Sequence, residues 1–301
     1  MSELRWPHES ARGDAAGKAQ WSHARSNICL DFHGDPRRAR LVVFSDGNHH
    51  MALEACLRAF LARHPQVEDV FYATTPPAVL LRLLDAGELH LGNLCLALTP
   101  HVFISPPDIL ERVVQSRRMD THVPFMRSRG NVLLVRKGNP KGIAGVADLA
   151  RMDVRLFLSN PVTETASHRV YVESLRRLAR SAGVVLDVLD AAPGAARVCY
   201  GERIHHREAP QALADERADV AMIYYHLALR YTRVFPDVFD LVPLGDALTD
   251  PGAETQNVVS DYHLGLIGDG GEWGSALRDF LMGETATLIY EHHGLRRPDG
   301  I

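Results

Sequence analysis

Leu41-Val42-Val43-Phe44-Ser45-Asp46-Gly47-Asn48-His49-His50 decides how the rest of the chain is read. Four apolar residues in a row, β-branched and aromatic among them, describe a strand buried on both faces. The run stops at Ser-Asp-Gly-Asn, residues that bend the chain and start a helix. A helix is expected from there to about residue 63, with Ala52, Cys56, Ala59 and Phe60 on one face. A buried strand handing directly to a helix is the unit of a parallel α/β sheet.

Working outward, the unit repeats. Residues 67–73 read as a strand stopped by Thr74-Thr75-Pro76-Pro77, where Thr75 is the expected N-cap and Pro76 the first helical residue. Val79, Leu80, Leu83 and Leu84 then form one stripe. Apolar stretches at 94–98 and 101–105 precede a helix at 107–114. A strand at 132–136 leads through a turn-rich segment to a short helix at 146–150. The strand at 154–158 is closed by Ser159-Asn160-Pro161-Val162-Thr163, and a long amphipathic helix follows with Gly183 as its stop. Segments at 198–204, 210–214, 220–224 and 226–231 continue the alternation. The fold class is therefore α/β with largely parallel sheets.

The chain has 301 residues, enough for two lobes with separate cores. Its formal charge of −4 provides no basic field for nucleic acid. No apolar run approaches the length of a membrane-spanning helix, so no membrane insertion is expected. Residues 1–39 are polar, carry no apolar core of a secretory signal, and read as a poorly ordered leader; on this reading the protein is cytoplasmic, or periplasmic if translation starts elsewhere. Of Cys29, Cys56, Cys95 and Cys199, none has a zinc-type spacing. Cys56 and Cys95 sit in apolar runs, and all four are expected to be reduced or inert.

In such sheets ligands gather at the carboxyl ends of strands, where helix N-termini point. The junctions at 45–50, 74–75, 160–163 and 204–208 are rich in short hydrogen-bonding side chains. Each can simply cap its own helix, or several together can hold an anion through neutral donors.

The ordered set of segments resembles the molybdate and tungstate solute-binding proteins of ABC transporters. The resemblance rests on 41–60, 70–75, 102–105, Val135-Arg136-Lys137-Gly138-Asn139-Pro140-Lys141-Gly142, Asp148-Leu149-Ala150, Asn160-Pro161, Ala218-Asp219-Val220-Ala221-Met222-Ile223-Tyr224 and 280–295. It implies a two-lobed type II periplasmic-binding-protein fold, each lobe a mostly parallel sheet flanked by helices, with a ligand cleft between lobes. Lobe one is expected at 40–127 plus 243–301 and lobe two at 128–242. The function it implies is non-enzymatic binding of a small oxyanion, as a monomer without cofactor or resident metal, for an ABC permease or for ligand sensing. It places Ser45, and Thr74 or Thr75, where the family offers hydroxyls, Val162 or Thr163 where it offers backbone N–H, and Tyr224 on a tyrosine that reaches the anion.

Departures from the family pattern are concentrated at Asp46, Asn48, His49 and His50, at an apparent insertion opening with Gly92-Asn93-Leu94, and at His205-His206-Arg207-Glu208. Asp46 repels a dianion unless it turns away, is neutralised or binds something else. Histidines of the two pairs are either capping residues or cleft ligands, donating to an oxyanion or holding a transition metal or small organic acid with Asp46 or Glu208. Arg207 can clamp an oxyanion or make a surface ion pair. No G-x-S-x-G, H-E-x-x-H, Walker or G-x-G-x-x-G motif supports an enzyme. A LysR-type regulator needs an N-terminal helix-turn-helix, which the first forty residues do not describe.

Overall fold

A computed structural model of the chain describes residues 31–91, 94–190, 197–202, 205–249 and 255–298. The leader expected through residue 39 lies outside them as far as residue 30. From Asp31 the described chain is part of the fold: β1 (Phe32–His33) pairs antiparallel with Tyr72 and Ala73, and Phe32 stacks on Phe71. Phe32 is the apolar anchor that a polar average over forty residues hides.

Two compact units emerge. One takes the described chain through Phe125 together with Tyr262–Ala286, and the other takes Met126–Asp261 with the residues from Thr287 on. The described residues among 243–261 and 287–298, expected with lobe one, fall with the second unit.

The first unit alternates as its sequence suggests: β2 (Leu41–Ser45), α1 (His50–Arg63), β3 (Val70–Thr74), α2 (Pro77–Ala86), a hairpin of β4 (Glu88–Leu91) and β5 (Leu94–Ala97), β6 (Val102–Ser105), α3 (Pro107–Gln115) and β7 (His122–Ser128). β2 lies between β3 and β6 and is parallel to both, with Ser45 opposite Thr74 on one side and Ile104 on the other. The sheet order is β1-β3-β2-β6-β13-β7, where β13 (Asp261–Leu266) runs antiparallel to β6. All residues of β2, β3 and β6 are buried, as helix-covered parallel strands require. Val42, Phe44, Phe71, Leu80, Leu84, Phe103 and Leu110 make the core on one face, each stabilising the unit by about 1.5–3 kcal/mol on burial. α2 begins one residue later than expected. Pro76, preceding another proline, is held extended (φ −51°, ψ 141°) and becomes the N-cap itself.

The second unit is built on β8 (Asn131–Arg136), β9 (Leu156–Leu158), α4 (Thr165–Ser181), β10 (Val198–Tyr200), α5 (His205–Ala214), β11 (Val220–Tyr224), α6 (Tyr225–Val234) and β12 (Phe239–Pro243), in sheet order β10-β9-β11-β8-β12. β9 is parallel to β10 and β11, while β8 is antiparallel to both of its neighbours. Gly183 stops α4 in the left-handed region at φ +67°. Asp219 is a structural residue: its carboxylate accepts from the Arg155 backbone N–H at 2.9 Å and pairs with the Arg155 guanidinium at 3.2 Å. β12 ends at Pro243, opposite Val132. One residue further, the side-chain amide of Asn257 takes over: its Oδ1 accepts from the Asn131 N–H at 2.8 Å, and its Nδ2 donates to the Asn131 carbonyl at 2.8 Å. With the Ser260 N–H donating to Ser128 Oγ, these bonds explain why residues 255–261 join the second unit. Chain termini are completed by α7 (Gly271–Met282), α8 (Glu284–His292) and β14 (Leu295–Arg296), the last pairing with the end of β7.

Candidate functional site

In the first unit, three adjacent parallel strands bring Thr74, Ser45 and Ser105 to the same carboxyl edge of the sheet. All three are buried, as is Thr75. Ser45 Oγ lies 3.2 Å from His49 Nε2 and also donates to the Asp46 carbonyl. His49, fully buried, packs its ring against Tyr262 at 4.8 Å between centroids. Thr74 Oγ1 stands 3.3 Å from His33 Nε2. Ser105 Oγ is buried with no hydrogen-bond partner. A buried hydroxyl without a partner costs about 1–3 kcal/mol, so this position is strained unless something fills it.

The turn after β2 depends on Gly47. A Cβ built there would stand 2.6 Å from the Thr74 carbonyl oxygen. Asp46 caps the turn by accepting the Asn48 N–H at 3.0 Å, and His50 Nδ1 lies 2.9 Å from the Gly47 carbonyl. Burial pushes the Asp46 carboxyl up to about 6, with the Asn48 bond opposing that shift. Asp46 therefore changes charge near neutral pH. The helices α2 and α3 that follow the neighbouring strands begin with Pro76-Pro77 and Pro106-Pro107, which carry no N–H, so hydroxyls are the principal donors of this edge.

The corresponding edge of the second unit is organised differently. Asn160 Oδ1 accepts the N–H groups of Val162 (2.8 Å) and Thr163 (3.2 Å), and its Nδ2 donates to the Gly201 carbonyl at 2.9 Å. The backbone donors expected to meet an anion at Val162 or Thr163 are thus already engaged. An asparagine two residues before a turn does this by forming a side-chain-closed loop. Ser159 Oγ is buried without a partner. Glu164 accepts the His205 backbone N–H at 3.0 Å, and Glu208 accepts that of Glu202 at 2.5 Å. Burial raises the Glu164 carboxyl to about 7.

His205 is a core residue. Its Nε2 lies 2.7 Å from the Met222 carbonyl, its ring stacks on Phe157 and leans on Tyr171, and burial lowers its pKa to about 4. It is neutral and fixes α5 to β11, which corrects its expected role as a ligand. His206 is likewise driven well below the usual histidine range by burial, with the positive Arg207 adding to the shift. Tyr224 is buried between Tyr171 and His226, its hydroxyl 3.5 Å from Ser260 Oγ. The sequence reading missed Ser105, Glu164 and Ser159. Ser105 had a signal, being the last residue of a strand parallel to β2, whereas Glu164 had none, because its burial follows from α5 folding over it. Cys56 is buried as expected, but Cys95 is exposed, on the outward face of a hairpin that apolar content alone did not reveal. A cavity of about 270 Å³ in the first unit, lined by Asp120, Thr121, Leu264, Asp269 and Arg278, shares no residue with this edge. It lacks a cluster of buried polar groups and is left out of the site.

Two units, each with a mixed sheet flanked by helices and polar groups at its strand ends, are what the comparisons with known proteins have to match. The chain belongs to the bacterial extracellular solute-binding protein family, whose sequence profile matches residues 41–296. Among curated proteins, none matches the sequence closely. Solved structures show the fold: the sulfate-binding protein SubI from Mycobacterium tuberculosis H37Rv is 18% identical with a TM-score of 0.63, covering 86% of this chain and 87% of that one. The substrate-binding domain of a putative molybdenum ABC transporter from Clostridium difficile is 15% identical with a TM-score of 0.60 over 86% of this chain and 99% of that one. The periplasmic molybdate-binding protein of Azotobacter vinelandii is 16% identical with a TM-score of 0.55, over 86% and 100%. The family's extracellular description lends no support to the cytoplasmic placement drawn from the first residues. No helix among the described residues is long and apolar enough to cross a membrane.

Proposed function

We propose that the chain binds a small tetrahedral oxyanion, of the molybdate, tungstate or sulfate type, at the carboxyl edge of β3, β2 and β6, without turnover, and delivers it as a monomer to an ABC permease. The observation that carries this reading is the buried, partnerless hydroxyl of Ser105, at the same carboxyl edge of the sheet that Ser45 and Thr74 end. Neutral hydroxyls suit a dianion because they donate without burying a counter-charge. Asp46 then acts as a pH-dependent opponent, repelling the anion when ionised and permitting it when protonated. The transition-metal alternative through the paired histidines has less support, since His205 Nε2 is bound to the Met222 carbonyl and His50 Nδ1 faces the Gly47 carbonyl.

Isothermal titration with molybdate, tungstate, sulfate and phosphate at pH 5.5 and 7.5 tests it. Binding of at least one oxyanion is expected, tighter at pH 5.5. Absence of heat with all four at both pH values overturns the reading.

A further inference from the structure

The β4–β5 hairpin lies between α2 and β6 and plays no part in the strand-end site. Its strands pair antiparallel, with His90 directly opposite Cys95 and Glu88 two residues before His90. Side chains two apart on a strand share a face, as do directly opposed ones, so Glu88, His90 and Cys95 stand together. His90 Nε2 is 2.7 Å from Glu88 Oε1, Cys95 Sγ donates to Glu88 Oε2 at 3.0 Å, and Sγ is 3.8 Å from Nε2. The three ligand atoms lie within 4.8 Å of one another. Bond lengths to a tetrahedral zinc ion put its ligand atoms roughly 3.3–3.8 Å apart. Small side-chain rotations on an exposed hairpin reach that spacing.

We propose that Glu88, His90 and Cys95 bind one divalent transition-metal ion of the zinc class, with the fourth position held by water. A carboxylate, an imidazole and a thiolate form a borderline-soft set suited to zinc and poorly suited to magnesium or calcium. At present hydrogens occupy the space between the three groups: the thiol S–H points at Glu88, and the 2.7 Å contact requires an Nε2–H donor on His90. The ion replaces both. Cys95 releases its proton to solvent and binds as thiolate, and neutral His90 moves its proton to Nδ1, freeing the Nε2 lone pair. Two anionic ligands and one divalent ion leave the cluster neutral. The Glu88 carboxyl group already faces both partners, with Oε1 2.7 Å from His90 Nε2 and Oε2 accepting from Cys95 Sγ at 3.0 Å. E-x-H followed by a cysteine five residues on matches no usual zinc spacing, which is why only the hairpin register exposes the set.

The test titrates the whole metal-free chain with Co²⁺ and Zn²⁺. One equivalent should bind, with a cobalt–thiolate charge-transfer band that Zn²⁺ abolishes. Cys95→Ser should remove the band, and His90→Ala and Glu88→Gln should each weaken binding at least tenfold, with unchanged circular dichroism. Independently of any variant, Zn²⁺ should slow iodoacetamide labelling of Cys95 at least tenfold, mapped by mass spectrometry, and leave Cys199 unaffected. No thiolate band, or labelling of Cys95 indifferent to Zn²⁺, overturns the proposal. Molybdate titration of Cys95→Ser should match the parent, which separates this site from the strand-end one.

Discussion

Ser45, Thr74 and Ser105 end three neighbouring parallel strands in the first unit; Leu158, just before Ser159, and Tyr200 end two in the second, yet the polar groups around them are spent differently. In the second unit Asn160 consumes two backbone donors, Glu164 and Glu208 consume two more, and His205 is locked to a carbonyl. In the first unit Ser45 donates to the Asp46 carbonyl and Thr74 faces His33, but among the described residues no side-chain amide ties up the edge, and Ser105, like Ser159, keeps a hydroxyl without a partner. Internal hydrogen bonding makes an edge rigid, and unspent donors make it receptive. The same strand-end topology serves both purposes.

The strongest way to break this contrast is His205→Ala. If the second edge is structural, the variant should lose about 3 kcal/mol of stability in urea unfolding, from lost packing and an orphaned Met222 carbonyl. Oxyanion affinity of the folded fraction should change less than twofold; a selective loss of binding would return His205 to the site.

The next effect is smaller and concerns pH. The folded Asp46 carboxyl is raised to about 6, above its unfolded value, so the stability it permits is complete below about pH 4 and is lost as pH rises through about 6. Asp46→Asn should remove on the order of 2–3 kcal/mol of that decline. It should also flatten the pH dependence of oxyanion binding. Glu164→Gln should act on stability in the same direction, over a window reaching about pH 7, but leave binding unchanged. Thermal melts from pH 4 to 8 with and without ligand separate the two carboxylates.

Gly47→Ala should cost about 1–3 kcal/mol, because the new Cβ meets backbone that cannot move aside. Binding should fall with it, since the displaced carbonyl belongs to Thr74; unchanged calorimetric affinity would detach the turn from the site.

The finest comparison is Ser105→Ala against Ser159→Ala. Neither should reduce the stability of the free protein, since each removes a hydroxyl that has no partner. Only Ser105→Ala should weaken oxyanion binding, by about 0.5–1.5 kcal/mol. Equal loss in both would show that the edges act alike.

The fold was largely legible in the sequence, because buried strands followed by Ser-Asp-Gly-Asn or Thr-Thr-Pro-Pro carry their own punctuation. The site was half legible. Ser45 and Thr74 announced themselves at strand ends, and Asp46 stood out as a charge where none belongs. His205 misled, because a histidine at a strand-to-helix junction reads the same whether its ring turns toward the loop or into the core. Phe157, Tyr171 and the Met222 carbonyl decide that question, and they come from three other elements. The hairpin was illegible for a similar reason: Cys95 joins Glu88 and His90 only through register.

Asn257 has a consequence for how this chain can vary. Where β12 stops at Pro243, a single side-chain amide supplies the donor and acceptor that another residue of strand would have offered to Asn131. The sheet is thus finished by a splint, not by more backbone. Leu244, Ala247 and Thr255 keep buried places of their own, but what this end of the sheet asks of the stretch that follows is one carboxamide returned to the same spot. Aspartate, identical in shape but unable to donate, would not serve.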